Sequence, residues 1–219
     1  MAMKFYYDLL SQPCRALYIV LQASKIPYEA CPIPLKTGMH LSESFAKDVS
    51  KFQKLPVIHD KDFRLTESVA ILKYLANEKN LSDKFYPKDS KSQARVDEFL
   101  SWQHHNIRGF CTGYFRMKWL MPLITGQQSS ERHLKGSKQN MSDNLDLFES
   151  LWLSDDKFIT GGTPNAADIW AACEIEQTRI AGYNPCEGRP YLEAWLQKVR
   201  EEPFYKEAHT IVEAIISKQ

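Results

Sequence analysis

The sequence predicts an α/β unit in its first third, followed by an all-α helical bundle. Two observations carry this prediction. Short strand-like runs alternate with helix-periodic runs up to about residue 80, giving the order βαβαββα. Strand-like runs then stop, and nearly everything after them repeats at the helical spacing. The expected boundaries are 1–80 for the α/β unit, 81–88 for a linker and 89–219 for the helical unit.

Each element has a local reason. Lys4 to Tyr7 reads as a strand, and Pro13 sits where a helix opens, with Leu17, Val20, Leu21 and Ser24 following at helical spacing. Tyr28 to Ile33 is a second strand after the turn at Lys25 to Pro27. Ser42 is placed to cap a short helix that runs through Phe45. Pro56 to His59 and Phe63 to Leu65 form a hairpin around Asp60 to Asp62. Ser68, Ile71, Leu72 and Leu75 then share one face of a helix. Past the linker, Val96, Phe99, Leu100 and Gln103 mark one long helix, and Leu145, Phe148, Leu151 and Trp152 mark another. Asn165, with Asp168 three residues on, is a capping-box arrangement, and Pro190 and Pro203 open two further helices.

Composition narrows the function classes. With 28 basic against 27 acidic residues, no global field recruits nucleic acid or an anionic membrane. No run approaches the ~20 apolar residues of a membrane span, and the opening MAMKFYYDLLSQPCR is not patterned as a leader. Cys14, Cys31, Cys111, Cys173 and Cys186 are too scattered for a disulfide framework or a zinc site, so a reducing cytosol is the expected compartment. The adjacent His104 and His105 point apart on a helix, and no metal is expected.

Several residues have chemical uses, although each also has an ordinary structural one. Ser11 lies where the first strand turns into the first helix and suits an N-cap. Pro56 follows Leu55 at a strand start, while Glu67 and Ser68 stand at the first turn of a helix. His40 falls in a loop, and Arg108 suits a helix-surface ion pair. Ser11 and Cys14 have CxxC spacing with serine at the first place, where a thiol-disulfide enzyme needs its attacking cysteine, so redox chemistry of that type is disfavoured.

The order of these pieces resembles a known family. DLLSQPCRA, then KLPVI, then LTESVAILKYL resembles the thioredoxin-like half of cytosolic glutathione S-transferases. NAADIWAA is similar to a stretch of their helical domain, and GMHLS, ARVDEFLSWQH and NIRG are similar to the theta class. The resemblance covers essentially the whole chain. It implies a thioredoxin-like glutathione-binding domain, an all-helical electrophile-binding domain, a homodimer and conjugation of glutathione to small electrophiles such as alkyl halides, with organic hydroperoxides as further substrates. The same glutathione contacts would serve a dedicated dehalogenase. A non-catalytic protein holding apolar ligands on this fold is the alternative from another class.

The resemblance also implies residue roles. The Ser11 hydroxyl would hold the glutathione sulfur as a thiolate, with Arg108 as a cationic helper. Leu55, before a Pro56 that the family holds cis, would pair its backbone with the cysteinyl backbone of the peptide. Glu67 and Ser68 would take the γ-glutamyl end, and His40 and Lys54 the glycyl carboxylate. Cys111, Thr112 and Phe115 follow Arg108 on one helix face and would line the electrophile pocket.

Three departures from the pattern stand out. Asn165 replaces a serine or threonine cap. His105 stands before NIRG, where some theta members carry an acidic residue, which puts a contact to the neighbouring subunit's glutathione in doubt. The sequence ends at Gln219, where vertebrate members continue into a segment over the site, so a more open pocket is expected.

Magnitudes suit the role given to Ser11. A free thiol with pKa near ~8.5 is only a few per cent thiolate at neutral pH, and the thiolate is the nucleophile. Lowering that pKa by about two units needs roughly 2.7 kcal/mol. One hydrogen bond to a charged acceptor supplies about 1.5–3 kcal/mol, and the amino end of a helix adds a fraction.

Overall fold

The computed structural model describes residues 2–153 and 157–218. Its first unit runs β1 (Met3–Tyr7), α1 (Gln12–Ala23), β2 (Tyr28–Pro32), α2 (Glu43–Asp48), β3 (Val57–Asp60), β4 (Phe63–Thr66) and α3 (Ser68–Glu78). The sheet order is β2-β1-β3-β4. β1 pairs parallel to β2 and antiparallel to β3, and β3 pairs antiparallel to β4, which is the thioredoxin-like arrangement. α3 buries Ile71, Leu72 and Leu75, three of the four residues predicted to share a face.

The register decides where a site can form. Tyr7 lies opposite Pro32, Tyr6 opposite Val57, and Val57 opposite Thr66. The chain therefore leaves β1, leaves β2, enters β3 and leaves β4 along one edge of the sheet. The segments beyond those points carry Ser11, His40, Leu55 and Glu67.

The rest of the described chain is helical, apart from one isolated bridge between Phe158 and Gly161. It comprises α4 (Ser90–His105), α5 (Ile107–Phe115), α6 (Met121–Thr125), α7 (Glu131–Trp152), α8 (Ala166–Glu176), α9 (Pro190–Arg200), α10 (Tyr205–Ala208) and α11 (Thr210–Ile216). The buried residues of α4 are Val96, Phe99, Leu100 and Gln103, as the spacing predicts. Residues 81–88 contain no helix, yet they bury Leu81, Phe85 and Tyr86. The Phe85 carbonyl accepts from the Ala166 amide at 2.9 Å, so this connection is packed against the bundle.

Every residue of α8 is buried. The helix packs on α1, α4, α5 and α9, and one apolar cluster runs from Phe5 and Leu17 through Phe99 and Phe148 to Trp170 and Leu196. Buried charges need partners, and the three carboxylates of α8 have them. Asp168 accepts from the Ile159 and Asn165 amides and from Trp195 Nε1. Glu176 pairs with Arg179 and Arg200. Glu174 pairs with Arg108 and Thr112.

Three expectations need correction. Leu151 is 61 % exposed, because the buried stripe of α7 is Met141, Asn144, Leu145 and Phe148. Pro203 does not open a helix, since Phe204 takes a left-handed conformation (φ 66°) and α10 begins after it. The long helix after the linker is broken at Asn106, whose side chain donates to the Trp102 carbonyl and accepts from Asn144. An asparagine that bonds its own backbone in this way competes with helix continuation.

Candidate active site

The loop between β1 and α1 is fixed from two sides. In front, the Asp8 carboxylate accepts from the Leu10 amide at 2.8 Å and the Leu35 amide at 2.7 Å. Behind, the fully buried Arg15 donates to the Leu9 and Leu10 carbonyls, the Cys173 carbonyl and Gln177 Oε1. Gln177 Nε2 returns a bond to the Leu10 carbonyl at 3.2 Å. A cation held by carbonyls on both sides of the domain interface leaves the loop little freedom before Ser11.

Ser11 occupies the N-cap position of α1, but its side chain makes no capping bond. Four other helix starts behave differently. Ser42, Asp89, Ser130 and Asn165 each accept from a backbone N–H of their own first turn. The Ser11 hydroxyl lies near the Cys14 thiol, which burial pushes up to about 12 against the opposing effect of that hydroxyl. At physiological pH Cys14 is a neutral buried thiol and no nucleophile.

The other sequence-predicted glutathione contacts follow along the same sheet edge. The Leu55-Pro56 peptide is cis and stands just before β3, and Lys54 beside it is exposed. Glu67 precedes α3 with φ 66° and ψ 110°, is exposed and caps nothing. A side chain held in left-handed backbone outside glycine costs of order 1 kcal/mol, and such positions cluster at functional sites. Ser68 is the first residue of α3, and its hydroxyl accepts from Trp170 Nε1 at 3.0 Å. Half-buried His40 sits in the single turn Met39–Leu41. Burial lowers its pKa, and the nearby Asp8 carboxylate works the other way.

The helical unit brings Arg108 and Thr112 to the interface on α5. Gln12 Nε2, next to Ser11, donates to Thr112 Oγ1 at 3.2 Å. Thr112 Oγ1 donates to Glu174 Oε2 at 3.0 Å, and Arg108 donates to Glu174 Oε1. Cys111 is buried in the main core, with its thiol raised by burial and by Glu174. Phe115 is buried with Leu10, Ile180 and Val212 and stacks on Trp119 at 5.4 Å. Of the three residues expected to line an electrophile pocket, Cys111 and Phe115 are buried and Thr112 is partly exposed.

Sequence reading missed Asp8, Gln12, Arg15, Glu174 and Gln177. Asp8, Gln12 and Arg15 lie in the same short stretch as Ser11, but nothing in their spacing tells a buried arginine from a surface one. Among the described residues, no group of three or more His, Cys, Asp or Glu is gathered as a metal would need. None of the described helices is long and apolar enough to cross a membrane.

Comparison with known proteins shows the family. Residues 3–77 match the family model for the glutathione S-transferase N-terminal domain, and residues 114–203 match that for the C-terminal domain. The chain is 40 % identical to bovine (Bos taurus) glutathione S-transferase theta-1 over 215 residues, 97 % of this chain and 89 % of the relative. It is 36 % identical to mouse (Mus musculus) glutathione S-transferase theta-2 over 219 residues, 99 % of this chain and 89 % of the relative. Human glutathione S-transferase T1-1 in its apo form superposes with a TM-score of 0.87 at 38 % identity, covering 98 % of this chain and 90 % of that one. A human theta-class transferase in complex with the glutathione conjugate of 1-menaphthyl sulfate superposes with a TM-score of 0.91 at 37 % identity, covering 100 % and 90 %.

Proposed function

This chain belongs to the glutathione S-transferase family, in its theta class, and on that premise we propose a glutathione transferase in which Ser11 stabilises the attacking thiolate. The observation that carries this reading is the Ser11 hydroxyl, which makes no capping bond at a helix start whose loop is held by Asp8 and Arg15. An O–H donor released from capping is available to a sulfur anion placed before α1, where the helix dipole also favours negative charge.

The remaining contacts complete a tripeptide site along the sheet edge. The Leu55 backbone stands where an added strand would pair. The free N–H groups at the start of α3, with Glu67 and Ser68, take the γ-glutamyl carboxylate and ammonium. Lys54 and His40 take the glycyl carboxylate. The thiol releases its proton to solvent and the thiolate attacks the substrate carbon. A C–S bond forms as the carbon–halogen bond breaks, and the halide leaves with the bonding pair. Organic hydroperoxides are further substrates of the same thiolate, and Thr112 borders the electrophile side. The working form is a cytoplasmic homodimer.

The test is turnover with glutathione over a panel of alkyl halides, aryl halides and organic hydroperoxides, alongside direct measurement of glutathione binding. Conjugate formation above the solution rate is expected. Tight glutathione binding with no turnover across the panel would leave a non-catalytic binding protein instead.

A further inference from the structure

Arg108 does not stand alone at the interface. It donates to one oxygen of Glu174, whose other oxygen accepts from Thr112. Thr112 in turn accepts from Gln12, which follows Ser11. The chain Arg108–Glu174–Thr112–Gln12 thus runs from the helical unit to the first turn of α1. The Glu174 side chain is 1 % exposed and that of Arg108 32 %. The carboxylate is therefore the fixed, dry member of the pair, and the guanidinium is the one a ligand can reach.

We propose that Glu174 is a positioning and charge-balancing residue, which anchors Arg108 at the interface and limits how strongly its charge acidifies the bound glutathione thiol. This inference rests on the thiolate reading of Ser11 and Arg108. A cation near a sulfur favours the thiolate, and a carboxylate beside that cation opposes it. The balance between the two sets the net field at the sulfur. Glu174 also links the position of Arg108 to that of α1, because Thr112 contacts both Glu174 and Gln12.

The neighbouring charges leave this pair as the adjustable one. From α1 and its loop come Asp8, bonded to backbone amides, and Arg15, bonded to backbone carbonyls and Gln177. Cys14, Cys111 and Cys173 are all raised by burial and stay neutral. Glu176, further along α8, is offset by Arg179 and Arg200. Arg189, before α9, is tied to Asp146. His104 and His105 close α4 with their rings 5.6 Å apart. On the glutathione side stand His40, Lys54 and Glu67.

The experiment is a pH titration of bound glutathione by thiolate absorbance in the full-length protein, in Glu174→Gln, Arg108→Gln and the double variant. Glu174→Gln is expected to lower the bound thiol pKa by roughly half a unit to one unit, the size of a unit charge acting across a partly dry interface. Arg108→Gln is expected to raise it by a similar amount, and the double variant to return close to wild type. A purely structural role for Glu174 predicts the opposite sign, since a loosened site drifts toward the free thiol value. A rise or no change in Glu174→Gln overturns the inference. If Arg108→Gln leaves the thiol pKa where it was, Arg108 has no part in thiol activation, and the inference falls together with that part of the reading. A rise in Arg108→Gln without a fall in Glu174→Gln removes the inference alone. Arg108→Gln strands a buried carboxylate and risks misfolding. In that case Glu174→Gln against wild type decides the matter by its sign.

Discussion

The starts of α8 and α1 present the same kind of side chain and use it in opposite ways. At α8, Asn165 accepts from the Ala167 amide while Asp168 reaches back to the Asn165 amide. Asp168 also accepts from Ile159 and Trp195, so its oxygens take three donors. At α1, Ser11 stands in the same N-cap position and its hydroxyl closes no turn. The two helices pack against each other, and Asn165 is buried where Ser11 is partly exposed. The start of α3 repeats the α1 pattern, since Glu67 holds a left-handed backbone and caps nothing. A helix start whose polar side chain is consumed internally contributes stability. One whose side chain is withheld leaves a polar group and a positive dipole end for a ligand.

The contrast can be broken at several points. The largest effect is expected at α8. Asp168→Ala orphans three buried donors and should destabilise the protein by more than about 3 kcal/mol, or roughly 6–12 °C in Tm, as read by thermal unfolding. Turnover per folded molecule should hold. A next test compares matched caps. Ser42→Ala removes a bond to the Phe45 amide and should cost about 1 kcal/mol in denaturant unfolding, whereas Ser11→Ala should cost less than about 0.3 kcal/mol. Equal losses would mean that Ser11 caps after all.

Glu67→Gly sharpens the comparison from the other side. Glycine accepts a positive φ more readily than glutamate, so the variant should be as stable as wild type or up to about 1 kcal/mol more stable. Its glutathione affinity, measured by calorimetry, should fall about tenfold, the ordinary loss of one charge-assisted contact.

The smallest effect concerns His40. Burial lowers its pKa, so it is neutral above the usual histidine range and gains charge only as pH falls below it. Binding of a carboxylate raises the pKa again, so affinity must increase as pH drops through that window. Affinity for S-methylglutathione, which has no thiol to titrate, should be flat above about pH 7 and tighten by about threefold below it. His40→Asn should flatten that profile.

Much of this was legible in the sequence because it rests on local rules. The capping box at Asn165 and Asp168, the hairpin around Asp60 to Asp62 and the buried stripe of α4 each depend on spacing within a few residues. Interactions between distant segments were not legible. Arg15 bonds Cys173 and Gln177 across the domain interface, and Gln12 bonds Thr112. Nothing near Arg15 in sequence marks it as buried. The break at Asn106 was missed because a helical hydrophobic pattern continues through it, while the side chain takes the backbone bond. Ser11 was found by its place in an ordered series of motifs. The withheld cap, which gives that place physical meaning, required coordinates.

Ser11, on this reading, contributes to thiol chemistry and not to helix stability. The most direct measurement is the absorbance titration of bound glutathione in wild type and Ser11→Ala, with unfolding followed on the same samples. Ser11→Ala should leave unfolding unchanged, keep glutathione affinity within a few fold, and return the bound thiol pKa toward the free value of about 8.5. An unchanged thiol pKa, or a pKa shift accompanied by a loss of stability the size of a helix cap, would contradict it.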